Sequence, residues 1–354
     1  MIPRVDIAAL FEGPSPMRDE ADRRIHTAAT GVGFLMLTGL PAEVPLGPVV
    51  RRRLLRLFGL PPAEISRLWR QKFAPSRPNV YRGWFPLQPG HATYKEGIDM
   101  GPDVAHGGAS VDAGDPLLEA TPLPPESALP GWRDCVAAYY RAMERTSAVL
   151  MRSIARGLGL DEHIFDEAFE GGISTLRLIR YPVRSERSLA GLPDEEGWVL
   201  HRGQRRHLTG RPHVDTGFVT LLAQDGVEGL QARAGDGAWL DVPPLENTLA
   251  VNFGNTLERW TGGRIKATQH RVLGSGRERF SIPFFYEPGV DTLIAPLPLP
   301  GIAPFAPFLY GDHLWATTTR FVEFHGLEHL RPPRGQQGGV RDALRSEQDS
   351  LGGM

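Results

Sequence analysis

The chain has 354 residues, 41% of them hydrophobic, enough for one large domain or two ordinary ones around a substantial core. Its formal net charge of −2 gives no global reason to expect nucleic acid or an acidic membrane as a partner. The single cysteine, Cys135, excludes an internal disulfide and any Cys-x-x-Cys zinc or iron–sulfur site, and it fits a reducing, cytoplasmic setting.

The opening MIPRVDIAALFEGPSPM lacks the basic stretch and apolar run of a signal peptide, and no apolar stretch is long enough to span a bilayer. In chain order, RIHTAATGVGFLMLTGLP reads as a helix end, a Gly-containing turn and an apolar strand from Gly33 to Leu37. LGPVVRRRLLRLFGLPPAEISRLW has helical spacing, interrupted at Pro61 and Pro62. From Ser76 to Pro124 the chain is rich in Gly, Pro and Asp with little periodicity, and reads as ordered loop. This first region, 1–129, is expected to pack on the strand-rich region after it.

A long helix is expected from about Pro130 to Leu158, with a broad apolar stripe suited to lying on a sheet and a stop at Gly157 and Gly159. The segment from Ser174 to Pro288 is strand-like throughout: TLRLIRYP, FVTLLAQ, GLQAR, AWLDV, LAVNFG, HRVL and RFSIPFFYEP. Short strands separated by Gly, Pro and Asp-Gly turns indicate an antiparallel sandwich or barrel within 130–332. The tail 333–354 is polar and Gly-rich and adds little to a core.

RPHVDTGF carries His213 and Asp215 two apart on a segment that reads as a strand, so both side chains face one way. A metal ion suits such a pair. The best candidate for a third ligand is His270, brought back across the barrel by the strands between. Two histidines and a carboxylate leave three octahedral positions open, which suits ferrous iron in oxygenases. By itself His-x-Asp is common by chance. His201 and His207 lie in a polar, Arg-rich run and are expected to be exposed. In RERFSIPFF, Arg279 and Ser281 again share a strand face, and a guanidinium with a hydroxyl makes a carboxylate receptor. Taken alone, that arginine is better explained by a structural salt bridge or by exposure.

Together, His-x-Asp, then His, then Arg-x-Ser resembles the 2-oxoglutarate/Fe(II)-dependent dioxygenases of the isopenicillin N synthase-like group. IPRVDIAAL, GVGFLMLTGLP, LRLIRYP, HVDTGFVTLLAQD, NFGNTLERWTGGRIKATQHRV and RERFSIPFFYEP extend the likeness over nearly the whole chain. The resemblance implies a double-stranded β-helix, or distorted jelly roll, with flanking helices. It implies Fe(II) on His213, Asp215 and His270, and the distal carboxylate of 2-oxoglutarate on Arg279 and Ser281, with a phenolic hydrogen bond from Tyr181. The implied reaction couples O2-dependent decarboxylation of 2-oxoglutarate to removal of hydrogen from an unactivated C–H bond of a small molecule.

Two departures matter. The stretch LIRYP (Leu178 to Pro182) looks like isopenicillin N synthase itself, which uses no 2-oxoglutarate and whose Arg-x-Ser pair holds the substrate's carboxylate. The second is an insert over 183–212 that holds Arg184, Arg187, Arg202, Arg205, Arg206 and Arg211 and ends beside His213. It reads as a lid or hairpin at the pocket mouth, with Arg202, Arg205 and Arg206 as candidate contacts to an anionic substrate, or else as a solvated charged loop with Asp194 to Glu196 offsetting the charge. Three readings compete: a 2-oxoglutarate-dependent oxygenase, a co-substrate-free oxidase or cyclase, and a non-catalytic barrel that binds a ligand or a structural metal such as zinc.

Overall fold

The computed structural model describes residues 1–335 apart from 89, 109–110, 190–191, 194–196 and 322. In chain order the strands of the first half are β1 (Arg4–Asp6), β2 (Phe34–Thr38), β3 (Gly83–Phe85), β4 (Glu96–Met100), β5 (Thr175–Tyr181), β6 (Trp198–His201) and β7 (Gln204–His213). Then come β8 (Val219–Gln224), β9 (Leu230–Arg233), β10 (Trp239–Asp241), β11 (Leu249–Phe253), β12 (His270–Leu273) and β13 (Arg279–Tyr286). All seven strands expected between Ser174 and Pro288 are among them.

One sheet runs β1-β2-β11-β8-β13-β5-β4-β3 and a second runs β10-β9-β12-β7-β6. Apart from the parallel pair β1–β2, neighbours in both are antiparallel. The side-chain period of two sorts the residues. Phe34 and Met36 meet Ile179, Tyr181, Leu230, Ala232, Ala250 and Val272 between the sheets. Leu35 and Leu37, pointing the other way, pack with Leu176, Leu178, Val251 and Phe284 against the helices. Two curled sheets face to face, with helices on the outer face of the larger, form the distorted jelly roll.

The helix Trp132–Gly157 buries Trp132, Val136, Tyr139, Tyr140, Met143, Leu150, Met151 and Ile154 at three- and four-residue intervals. Its end is marked by Gly159 at φ +74°, a left-handed conformation that costs glycine nothing. Tyr140 Oη donates to the Ser174 carbonyl at 2.7 Å, tying the helix to the entry of β5.

Two differences from the sequence reading have physical causes. The stretch Ser76–Pro124 supplies β3 and β4, so it is not wholly loop. These strands are short and Gly-containing, and a Cβ at Gly97 would collide with the Leu178 carbonyl of the neighbouring strand. Because β1–β4 pair within the sheet that carries β5, β8, β11 and β13, the division expected near residue 129 crosses a hydrogen-bonded sheet. The insert carries a hairpin of β6 and β7, one of the forms expected for it, closed at Arg202 (φ +51°) and Gly203 (φ +75°), the doubly left-handed turn that matches strand twist.

Candidate functional site

His213 ends β7 and His270 opens β12, and the two are register partners. Asp215 is not on the strand, as the alternation had suggested. β7 stops at His213, and the chain turns back beneath the helix Asn255–Trp260, whose Asn255 N–H donates to the Asp215 carbonyl at 2.8 Å. The turn is tight, because a Cβ at Gly254 would run into the carbonyls of Gly217 and Asp215. The turn nevertheless brings the carboxylate between the rings: Asp215 Oδ1 lies 3.7 Å from Nε2 of each histidine. One ligand atom from each of the three residues falls within 4.8 Å of the others.

The partners of these groups decide which atoms are offered. His213 Nδ1 is 2.8 Å from the Arg211 carbonyl and His270 Nδ1 is 3.2 Å from the Thr268 carbonyl. A carbonyl can only accept, so each Nδ1 carries the proton and each Nε2 keeps a free lone pair. Asp215 Oδ2 accepts from Thr220 Oγ1 at 2.6 Å and Asn252 Nδ2 at 2.7 Å, which leaves Oδ1 for a cation. Burial, then the neighbouring His270, lowers the His213 pKa to about 3, with Lys95 adding to the effect. Burial opposes ionisation of Asp215, yet His270, His213 and the bonds from Thr220 and Asn252 bring its pKa down to about 2. At neutral pH His213 is therefore neutral and Asp215 an anion, the forms that bind metal.

Arg279 and Ser281 begin β13 and face inward with Tyr181, the register partner of Arg279. Both are buried, 2% and 1% exposed. Arg279 Nη2 donates to Gln224 Oε1 at 3.2 Å, and the guanidinium lies 5.0 Å from the centre of the Tyr181 ring. Arg279 Nε and Nη1 and Ser281 Oγ are buried with no hydrogen-bond partner in the protein. Buried donors left unpaired are costly, and the free guanidinium N–H groups with the hydroxyl suit a carboxylate.

A cavity of about 460 Å³ opens on His213 and Asp215. Its wall includes Lys95, Thr175, Arg177, Arg211, Glu287, Arg320 and Glu323, with Tyr81, Phe285, Leu314 and Phe324. A larger cavity of about 880 Å³ lies by Trp260 and Val290 and contains none of the metal-ligating or clamp residues, so the smaller one is the relevant space.

The candidate substrate arginines of the insert are not on this wall. Arg202 donates to Asp241 at 2.7 Å, Arg205 lies 4.6 Å over the Trp198 ring, and Arg206 donates to the Gly274 carbonyl at 2.8 Å. The hairpin touches the cavity only at Gly210 to His213. Arg184 is buried, donating to the Ala92 carbonyl at 2.8 Å. His201 and His207, expected to be exposed, are half-buried: His201 meets Asp241 at 3.0 Å and His207 sets its ring edge-on to Trp198. Asp194 to Glu196 fall outside the described residues. The sequence reading did not single out Thr220, Asn252, Arg177 or Glu287. For Asn252 a signal existed, a lone amide amid the apolar LAVNFG.

Residues 177–288 match the 2OG-Fe(II) oxygenase superfamily. Isopenicillin N synthase of Streptomyces clavuligerus is 31% identical over 342 residues, covering 95% of this chain and 97% of that one. The chain belongs to the isopenicillin N synthase-like family of 2-oxoglutarate/Fe(II) oxygenases. A 2-oxoglutarate-Fe(II) type oxidoreductase of Emericella nidulans, hxnY, is 37% identical over 169 residues, covering 47% and 44% of the two chains. The crystal structure of a full-length Neurospora crassa protein in complex with alpha-KG and 5-formyluracil superposes with a TM-score of 0.72 at 25% identity, covering 90% of this chain and 95% of that one. As a family member the protein is an enzyme, an oxidoreductase of the class that works with Fe(II), 2-oxoglutarate and O2. Among the described residues no helix is long and apolar enough to cross a membrane.

Proposed function

We propose that this oxygenase binds Fe(II) through His213, Asp215 and His270, holds the distal carboxylate of 2-oxoglutarate on Arg279 and Ser281 beside Tyr181, and oxidises an unactivated C–H bond of a small anionic molecule. The observation that carries the reading is the buried, partnerless Nε and Nη1 of Arg279 and Oγ of Ser281 on the strand face directed between the sheets. When bound, iron and 2-oxoglutarate supply the oxidising chemistry with O2.

The chain's own work is positional. The Arg211 and Thr268 carbonyls fix the two imidazoles, and Thr220 and Asn252 fix the carboxylate, so three ligands sit on one side and the other positions stay open to small molecules. The packed space between the sheets, with Tyr181, Leu230, Ala232 and Val272, keeps water from the clamp.

A second reading has one specific support. Isopenicillin N synthase of Streptomyces clavuligerus matches nearly end to end, and the likeness of LIRYP to that enzyme implies an Arg-x-Ser pair that holds a substrate carboxylate. Calorimetric titration of the anaerobic Fe(II) protein with 2-oxoglutarate separates the two. Binding that requires Arg279 supports the co-substrate reading, and absence of binding gives the clamp to the substrate.

A further inference from the structure

β5 and β13 are neighbours whose inward faces carry the clamp at one end, with Tyr181, Arg279 and Ser281. Following the same faces away from the clamp leads to Arg177 and Thr175 on β5, then to Phe285 on β13 and Glu287 just past its end, and all four line the cavity beside the metal-ligating residues. From Ser281 to Glu287 is six residues, about 20 Å of strand. The two ends are therefore separate sites on one support.

Arg177 is held for a purpose its own contacts do not exhaust. Its guanidinium is set between two phenyl rings, 5.3 Å from the centre of Phe85 and 5.2 Å from that of Phe285. Nε and Nη2 are both engaged by Asp99, the latter at 2.8 Å, which leaves Nη1 to reach a guest. Asp99 is shared with Arg70, and Arg82 lies in the same buried group, donating to Thr175 Oγ1 and the Ile173 carbonyl. Three guanidiniums thus gather around Asp99, and Glu323 on the cavity wall is the other carboxylate that acts on Arg177 and Arg70. Glu287 does not fully supply the missing charge, because burial raises its pKa to about 7 even though Tyr310 Oη donates to it at 3.0 Å. Lys95 adds a further cation on the cavity wall. The same wall carries an apolar surface, with Tyr81, Phe285, Leu314 and Phe324, beside the charged Arg320 and Glu323.

We infer that Arg177, assisted by Lys95, receives the carboxylate of the prime substrate, and that the substrate is an apolar or aromatic monocarboxylic acid. This rests on the proposed reading of the iron and 2-oxoglutarate sites, and it replaces the insert arginines with cavity residues as the source of anion recognition. A carboxylate suits the site because one free guanidinium nitrogen and one ammonium match a single oxyanion, while the aromatic wall takes a hydrocarbon body.

The test uses the anaerobic Fe(II)–2-oxoglutarate protein, titrated calorimetrically with phenylacetate and, as the uncharged analogue, phenylacetamide. Wild type is expected to bind the acid at least about tenfold more tightly than the amide. Arg177→Gln and Lys95→Met should each erase most of that preference, and Arg177→Lys should keep part of it. Lys95 is outside the Asp99 group, so its variant remains informative if Arg177→Gln does not fold. Equal affinity for acid and amide, no binding of the acid, or a preference unchanged in Arg177→Lys and Lys95→Met overturns the inference. Succinate formation by wild type on admitting O2 is measured alongside. Succinate without a preference for the acid defeats the inference and leaves the co-substrate reading standing. A preference for the acid without succinate does the reverse.

Discussion

His213 and His270 face one another across β7 and β12, ring centroids 4.3 Å apart, and each Nδ1 is held by the carbonyl of the residue two before it. Neither ring can flip without losing its hydrogen bond. The pair is set before metal arrives, and the barrel core does not depend on it. His213→Ala and His270→Ala should keep the fold, by circular dichroism, and lose stoichiometric Fe(II) binding. Asp215→Glu should cut turnover about a hundredfold, since moving a reacting group by one carbon–carbon bond is that costly. Iron retained at full occupancy by either histidine variant contradicts the assignment.

The groups behind Asp215 give a finer test. Thr220→Val and Asn252→Ala each remove a hydrogen bond to Oδ2 while leaving all three candidate ligands in place. Metal affinity should fall about 10- to 100-fold. Because metal stabilises the folded state by about 2.7 kcal/mol at a hundredfold excess over Kd, urea denaturation with and without Mn(II) reads the same loss.

Arg279→Met should weaken 2-oxoglutarate binding by about 2–5 kcal/mol, the cost of removing one member of a buried charge pair. Lysine should rescue only in part, for want of a planar fork. Affinity unchanged in the methionine variant places the co-substrate elsewhere.

Glu287 should leave a mark on pH dependence. Its pKa, raised by burial to about 7 from an ordinary 4.5, means the folded protein binds a proton that the unfolded chain releases. The stabilisation is complete below about pH 4.5 and is lost as pH rises through 7. Urea denaturation of the metal-free protein should therefore show wild type losing stability relative to Glu287→Gln between pH 5 and pH 7. A difference between the two that does not change with pH contradicts this.

Arg202, Arg205 and Arg206 are engaged on the hairpin, away from the cavity. Replacing all three with glutamine should leave coupled turnover and its salt dependence within about twofold of wild type, as expected for charges that do not line the cavity and are engaged elsewhere. A steep loss returns the hairpin to the pocket mouth.

The parts of the fold written as repeating patterns were readable in the sequence. The alternation in FLMLT, TLRLIRY and RFSIPFF sets which face meets the second sheet, and the helix Trp132–Gly157 follows from its stripe. The candidate ligands and clamp were readable because each lies beside a strand of this kind. Less visible were features made by the third dimension. β3 and β4 are too short to show a period. Asp215 leaves its strand because the chain must turn under Asn255. Arg202, Arg205 and Arg206 lie near His213 in sequence, yet a hairpin carries its turn away from its base, and of the insert's arginines Arg211 at that base is the one on the cavity wall among the described side chains. Arg177 sat unnoticed in TLRLIRYP, since only pairing with Asp99 on β4 shows that it is held at the cavity.

The most direct measurement is succinate formed when the anaerobic Fe(II)-loaded protein meets O2 with and without 2-oxoglutarate. Succinate should appear only when 2-oxoglutarate is present, and it should vanish in His213→Ala and fall sharply in Arg279→Met. Oxygen consumption without succinate, or at a rate indifferent to 2-oxoglutarate, contradicts the account.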